Sequence, residues 1–187
     1  MYFQKSEVKG KTALVTGAGK GIGKASAIAL AEAGADLIIL SRTKSDLEKV
    51  KKEIVKLNRK CVIYDCDVSN FEELRSIFNQ ISKLDILVNN AGTNRPEHFT
   101  KINKEDMDYV VDLNLKAAFH VAQMGAKVMT KQKNRKSIGG SIINVSSQLG
   151  KVGAPKRSIY NMTKFGIEGL TRGMALDLAK NNIRVNT

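Results

Sequence analysis

Thr12-Ala13-Leu14-Val15-Thr16-Gly17-Ala18-Gly19-Lys20-Gly21-Ile22-Gly23 is the stretch from which the rest of the chain can be read. A short apolar run of β character ends in a glycine-rich turn, and an alanine-rich helical pattern, Ala25 to Ala33, follows at once. Glycine suits such a turn because it takes backbone conformations that other residues avoid and lets N–H groups come close to an anion. The helix that begins inside the turn points its positive end at the same place, so a pyrophosphate is accommodated there. Glycine-rich turns also occur as plain loops. The strand before and the helix after mark this one as a dinucleotide-binding fingerprint.

Reading outward, Gly34 stops the first helix and Asp36-Leu37-Ile38-Ile39-Leu40 forms a buried strand closed by Ser41-Arg42. Ser45 to Leu57 has helical spacing, with Leu47, Val50, Ile54 and Leu57 on one stripe. Cys61-Val62-Ile63-Tyr64 is a third strand ending in Asp65-Cys66-Asp67-Val68, and Asn70 caps the next helix. Asp85-Ile86-Leu87-Val88 is a fourth strand running into Asn89-Asn90-Ala91-Gly92. After a polar loop, Thr93 to Phe99, a long helical segment spans about Glu105 to Thr130. Ser141 to Val145 is a fifth strand, Ser158 to Lys180 a further helix, and Ile183-Arg184-Val185-Asn186 begins a sixth strand. Almost wholly apolar strands alternating with helices predict an α/β fold, a doubly wound parallel sheet of Rossmann type covered on both faces. The ligand crevice of such a fold lies at the carboxyl ends of the strands, where every unusual polar motif here falls. Residues 1–8 read as a flexible N-terminus, with Met1-Tyr2-Phe3-Gln4 like the remnant of a tag-cleavage site, and 9–187 as one dinucleotide-binding domain.

Composition narrows the function classes. The formal charge is +13, with basic residues concentrated from Lys44 to Lys60 and at Lys127, Lys131, Lys133, Arg135 and Lys136. The first group is interleaved with Asp46, Glu48 and Glu53, as on a solvated amphipathic helix. The second has no aromatic residue nearby for base stacking, so no specific nucleic-acid partner is expected. An acidic partner or anionic substrate carrier stays open. No apolar run approaches the ~18 residues of a membrane span, and the N-terminus lacks the layout of a signal peptide. Cys61 and Cys66 form no CxxC pair, and two histidines, His98 and His120, give no metal-ligand cluster. These features predict a cytoplasmic, reduced, metal-free protein.

Tyr160 and Lys164 are four residues apart and share a helix face. About half of one such pair is expected by chance in this composition, so position decides its meaning. The pair follows the strand that ends in Ser146-Ser147, at the nucleotide end of the sheet. An ammonium fixed beside a phenol favours the phenolate, and such a group can exchange a proton with a carbonyl or alcohol oxygen.

Thr16-Gly17-xxx-Gly21-x-Gly23, Asn89-Asn90-Ala91-Gly92, Asn114, Ser147 and Tyr160-xxx-Lys164 together resemble the short-chain dehydrogenase/reductase family, in the family's order and from about residue 9 to the end. The resemblance implies Tyr160 as general acid in reduction and Lys164 as holder of the nicotinamide ribose and stabiliser of the phenolate. Ser147, rather than Ser146, would hydrogen-bond the reacting oxygen, and Asn114 would hold a water linking Lys164 to solvent. Gly17, Gly19, Lys20, Gly21, Ile22 and Gly23 would bind the cofactor's diphosphate region. Asp67 and Val68 would contact the adenine, and Asn90, Ala91 and Gly92 would line the ribose. Family members usually continue into a Pro-Gly turn, a substrate lid and a seventh strand. This chain ends at Thr187, so it reads as a fragment truncated after the start of the sixth strand, with an open edge that favours self-association.

Cofactor choice is read from the end of the second strand. NAD-binding folds usually place an acidic residue there to accept from the ribose 2′-OH. Here the position is Ser41, followed by Arg42, with Lys20 across the crevice, which predicts NADP(H) over NAD(H). Substrate-facing positions are expected at Thr93 to His98, Gln148 and Gly153 to Arg157. Arg95, Lys156 and Arg157 suit an anionic substrate or serve as solvated loop charges. The local text resembles 3-oxoacyl-acyl-carrier-protein reductases and polyol or sugar-acid dehydrogenases. A small-molecule or carrier-linked carbonyl substrate follows, with a homodimer or homotetramer as the implied assembly. A nucleotide-binding module without turnover is the alternative of a different class.

Overall fold

Six parallel strands alternate with helices over residues 8–133 and 139–187, the residues that the computed structural model describes. The expectations for residues 1–7, including the tag-like Met1-Tyr2-Phe3-Gln4, and for Arg135 and Lys136 in the second basic group lie outside them. In chain order the elements are β1 (Thr12–Thr16), α1 (Gly21–Glu32), β2 (Asp36–Ser41), α2 (Lys44–Lys56), β3 (Cys61–Asp65), α3 (Phe71–Asn79) and β4 (Ile86–Asn89). Then come α4 (Lys104–Val111), a π-helical turn (Asp112–Ala117), α5 (Ala118–Lys131), β5 (Gly140–Asn144), α6 (Ser158–Ala179) and β6 (Ile183–Asn186). The long helix expected from the sequence is therefore one run of three parts.

The sheet order is β3-β2-β1-β4-β5-β6, so β1 has β2 on one side and β4 on the other. That is the switch point at which a doubly wound sheet opens a crevice at its carboxyl edge. Residues Thr12 to Thr16 of β1 pair in register with Asp36 to Leu40 of β2, and Ala13 to Val15 with Ile86 to Val88 of β4. Neighbouring strand ends are thereby level, which brings the polar residues after β1, β2 and β4 to one rim.

Alternation of side chains along the strands builds two cores. Leu14, Leu40, Leu87 and Ile142 face α3, α5 and α6, where they meet Leu74, Phe78, Val121 and Met129. Ala13, Val15, Ile39 and Val88 face α1 and α2, against Ala27, Ala31, Leu47 and Ile54. The small alanines of α1 let that helix lie close on the sheet, which holds its N-terminus near the end of β1. Coverage differs from the expectation at one place. Ile143 on β5 is 38% exposed and Arg184 and Asn186 on β6 are exposed, so on the α1–α2 side the helices cover only the part of the sheet around β1 to β4.

Local capping follows the sequence. Asn70 Oδ1 accepts from Glu73 N at 3.3 Å, and Asn103 Oδ1 accepts from Asp106 N at 2.7 Å. The N-cap of α1, Lys20, has no side-chain acceptor on the helix, so the first N–H groups of α1 are left facing the crevice. Among the described residues no helix is long and apolar enough to cross a membrane, and no group of three or more His, Cys, Asp or Glu could hold a metal ion.

Candidate active site

A cleft of about 560 Å³ opens at the carboxyl edge. The glycine turn forms its floor. Gly21 has φ +55° and nothing within 4 Å of where a Cβ would stand, so the turn presents bare backbone to open space. At Gly23 a Cβ would stand 2.3 Å from Gly17 O, a contact that only glycine permits. Gly23 therefore seats α1 on the turn and does not line the cleft, while Gly17, Gly19, Lys20, Gly21 and Ile22 do. This cradle, with the uncapped start of α1 behind it, fits the diphosphate of a dinucleotide.

The loop after β4 is fastened to that turn. Asn90 N and Ala91 N both donate to Thr16 Oγ1, at 2.9 and 3.0 Å, and Asn90 Nδ2 donates to Thr16 O at 3.0 Å. Asn90, Ala91 and Gly92 line the cleft, and the Asn90 side chain serves as the clasp.

At the end of β2, Ser41 and Arg42 also line the cleft. Arg42 Nη1 donates to Tyr109 Oη on α4 at 3.0 Å and lies 3.8 Å from Asp67 Oδ2. The hydrogen bond to Tyr109, with a lesser attraction from Asp67, holds the guanidinium still more firmly in its charged form. Asp67 Oδ1 accepts from Ser69 N and Ser69 Oγ at 3.0 and 2.7 Å, which orients the carboxylate beside Val68 on the cleft wall.

Tyr160 and Lys164 sit on the opposite wall, in the first and second turns of α6. Lys164 is 6% exposed, its Nζ donates to Val145 O at 2.7 Å, and it stands 5.5 Å from the Tyr160 ring centroid. Burial pulls its pKa below the usual lysine range. Ser147 Oγ accepts from Leu149 N at 3.1 Å, starting the short 3₁₀ turn Gln148–Gly150. Its O–H is left to donate. Ser146, not Ser147, lines the cleft, and among the described residues its buried Oγ has no hydrogen-bond partner.

Asn114, in the π-helical turn, is 1% exposed and does not line the cleft. Its Oδ1 accepts from Thr93 N at 2.7 Å, and its Nδ2 donates to Thr93 O at 2.8 Å and to Thr163 Oγ1 at 3.3 Å. Thr163 Oγ1 donates in turn to Tyr160 O at 2.8 Å. These partners make the Asn114 side chain a link between the loop after β4 and the helix that carries Tyr160.

Sequence reasoning missed several parts. Thr163 completes this link, and a second buried relay runs from Asn89 Nδ2 to Asn144 Oδ1 at 3.1 Å and from Asn144 Nδ2 to Thr171 Oγ1 at 2.9 Å. The only sequence signal was a polar residue within an otherwise apolar strand or helix stripe. Tyr109 gave none. Among the substrate-facing positions, Thr93 and Asn94 line the cleft, whereas Gln148 and Gly153 to Arg157 do not. Arg95 is not a free cation, because it pairs with Asp106 and covers the Tyr109 ring at 4.2 Å.

The family model described as short chain dehydrogenase matches residues 11–187. The chain belongs to the short-chain dehydrogenase family. Its relatives include the 3-oxoacyl-acyl-carrier-protein reductase FabG of Thermotoga maritima, 38% identical over 183 residues, covering 96% of this chain and 72% of the relative. L-xylulose reductase of Mus musculus is 37% identical over 177 residues, covering 95% of this chain and 69% of the relative. Among solved structures, carveol dehydrogenase from Mycobacterium avium in complex with NAD superposes with a TM-score of 0.87 at 31% identity, over 96% of this chain and 69% of that one. The chain is thus an oxidoreductase of this family, whose members act on alcohol or carbonyl groups with a nicotinamide cofactor.

Proposed function

We propose that this protein is an NADP(H)-dependent reductase that converts a carbonyl group to a secondary alcohol, most like a 3-oxoacyl-acyl-carrier-protein reductase. The observation that carries this reading is the meeting, in one cleft, of the glycine turn, Arg42 and the Tyr160–Lys164 pair. A bound nicotinamide supplies the hydride, so the chain itself must bind, orient and move a proton.

The glycine turn and the start of α1 take the diphosphate, and Asp67 and Val68 take the adenine. Tyr160 gives its hydroxyl proton to the reacting oxygen. The ammonium of Lys164, anchored on Val145 O, favours the phenolate left behind and holds the ribose. Ser147, next to the cleft-lining Ser146 and with its Oγ already accepting from Leu149 N, is the residue assigned to donate its O–H to the same oxygen, where negative charge develops. Asn114 acts as a positioning residue through Thr93 and Thr163. Exposed Phe119, Phe165 and Leu176 on α5 and α6 support assembly as a homodimer or homotetramer.

NADP(H) is favoured over NAD(H) by the residues at the end of β2. Ser41 offers no carboxylate to repel a 2′-phosphate, and Arg42 and Lys20 offer two cations on the cleft wall. The carboxylate of Asp46 also reaches that wall, but it belongs to the first turn of α2 and lies 3.5 Å from Lys49. The carveol dehydrogenase structure holds NAD, so the choice rests on this chain's own residues.

A sugar-acid or polyol dehydrogenase is the second reading, favoured by the 37% identity to L-xylulose reductase. A nucleotide-binding module without turnover would have no use for Tyr160, Lys164, Ser147 and Asn114 together. The test is NADPH oxidation with a short 3-oxoacyl thioester and with a ketose. Faster turnover of the thioester is expected. Preference for the ketose would install the second reading, and no turnover with either, despite tight NADPH binding, the third.

A further inference from the structure

Tyr109 is a residue to which nothing in the proposed chemistry assigns a task, yet two arginines from different parts of the chain converge on it. Arg42, from the end of β2, donates from Nη1 to its hydroxyl at 3.0 Å. Arg95, from the loop after β4, lies over its ring at 4.2 Å and pairs with Asp106, one turn earlier on the same helix. Tyr109 does not line the cleft, but its hydroxyl accepts from Arg42, which does, so it stands beside the end where Arg42, Asp67 and Val68 gather.

Arg42 needs such a partner. Its side chain is 57% exposed, and its ion pair with Asp67 is loose, at 3.8 Å between half-solvated groups. Surface ion pairs of that kind do little to immobilise an arginine, which keeps many rotamers in water. A directed hydrogen bond from Nη1 to a phenol on a helix is different. The Tyr109 ring is covered on one face by Arg95, and its backbone is held in α4. One guanidinium N–H is thereby committed, the plane of the fork is set, and the remaining N–H groups are free for a phosphate. Pre-ordering a long side chain lowers the entropy lost when an anion is bound.

We propose that Tyr109 is a positioning residue for cofactor choice: by holding Arg42 over the lip of the cleft, it sets the preference for a ribose that carries a 2′-phosphate. This rests on the NADP(H) reading above, and it adds a determinant on α4, far in sequence from the β2 end where that reading was made. Arg95 is part of the same device, since it covers the ring that carries the hydroxyl.

The test uses Tyr109→Phe, which keeps the ring and its contact with Arg95 and removes only the hydroxyl. Dissociation constants for NADPH and NADH are measured by fluorescence titration, alongside adenosine 2′,5′-bisphosphate and 5′-AMP as competitors that differ only in the 2′-phosphate. Tyr109→Phe should weaken NADPH and the bisphosphate by about fivefold, below the full loss of a charged hydrogen bond, and leave NADH and 5′-AMP unchanged. A merely structural role would move all four together. In an Arg42→Ala background, Tyr109→Phe should have no further effect, because the two act as one unit. If Arg42→Ala weakens NADPH while Tyr109→Phe leaves the NADPH to NADH ratio at its original value, the positioning role is wrong and the cofactor reading stands. If Arg42→Ala itself leaves NADPH binding intact, the cofactor reading fails and takes this inference with it.

Discussion

The two ends of the cleft are built in opposite ways. Where Tyr160 stands, the supporting groups are buried: Asn114 at 1%, Thr163 at 0% and Lys164 at 6% exposed, each hydrogen-bonded within the protein. Where Arg42 stands, the groups are long, charged and half in water, and they hold one another through single contacts. A proton transfer tolerates little error in distance, so its groups gain from a dry and crowded setting. Discrimination of one cofactor from another needs only a charge in reach, which the surface can supply and sequence change can easily retune. On the function proposed above, the contrast teaches that the chemistry is fixed by packing and the choice of cofactor by side chains at the rim.

The largest effect should come from the buried end. Tyr160→Phe removes the proposed proton donor and keeps the ring, so kcat should fall by about 10²- to 10⁴-fold, the range for a lost general acid, with NADPH affinity nearly unchanged. Steady-state kinetics beside a binding titration would check it. Turnover kept within a factor of a few would break the comparison at its first term.

Asn114→Ala should follow. It leaves the Thr93 N–H and C=O without their partner inside the protein, at a cost of about 1–3 kcal/mol for buried polar groups. Thermal melting should show the loss, and kcat should fall as Thr93 and the first turn of α6 loosen. A variant as stable and active as the parent would mean that this end is less rigid than it looks.

At the rim, Arg42→Ala should weaken NADPH by about 2 kcal/mol, the scale for losing a charged hydrogen-bond partner, with little change for NADH. Raising salt should erode the wild-type preference, as exposed charges are screened. Ser41→Asp combined with Arg42→Leu should reverse it. Equal affinities for both cofactors in the parent would remove the premise.

The smallest effect concerns Lys164, whose burial favours the neutral amine. The unfolded chain therefore binds this proton more readily than the folded one, and stability rises as the pH climbs from the lowered folded value toward the ordinary lysine range. Lys164→Met should abolish that rise and, at neutral pH, stabilise the protein by about 1 kcal/mol through removal of a desolvated charge. Melting temperatures of both proteins across alkaline pH would decide it, and a steeper rise in the variant would contradict the sign.

How far the sequence could be read follows from the same contrast. Strand and helix patterns are local, so β1, β2 and β4 and the glycine turn were legible from periodicity and punctuation alone. Fourteen of the residues assigned to the site line the cleft, because the carboxyl ends of level parallel strands must meet. What escaped is long-range. Tyr109 reaches Arg42 across 67 positions, and Asn114 reaches Thr163 across 49, distances over which no pattern in the text constrains a pairing. Arg95 is a related case, since neither role open to it in the sequence, substrate contact or solvated loop charge, foresees its pairing with Asp106 and its place over the Tyr109 ring. The uncovered face at Ile143 was equally illegible, because apolar content says that a strand is buried somewhere and not on how many sides.

The π-helical turn from Asp112 to Ala117 carries a consequence of its own. A turn closed by i→i+5 bonds holds one residue more than an α-turn, so the helix beyond it is out of phase with the helix before it by about 100°. Val110 on α4 and Val121 and Met129 on α5 are all buried, on two helices whose phases this turn offsets. Removing one residue from this turn, such as the exposed Lys116, would leave a perfectly good helix in the wrong phase. Its apolar stripe would swing away from Leu87 and Ile142, and Asn114 would rotate off Thr93. Length, rather than side-chain identity, is what such a segment demands, and a one-residue deletion there should do more harm than most substitutions in the cleft itself.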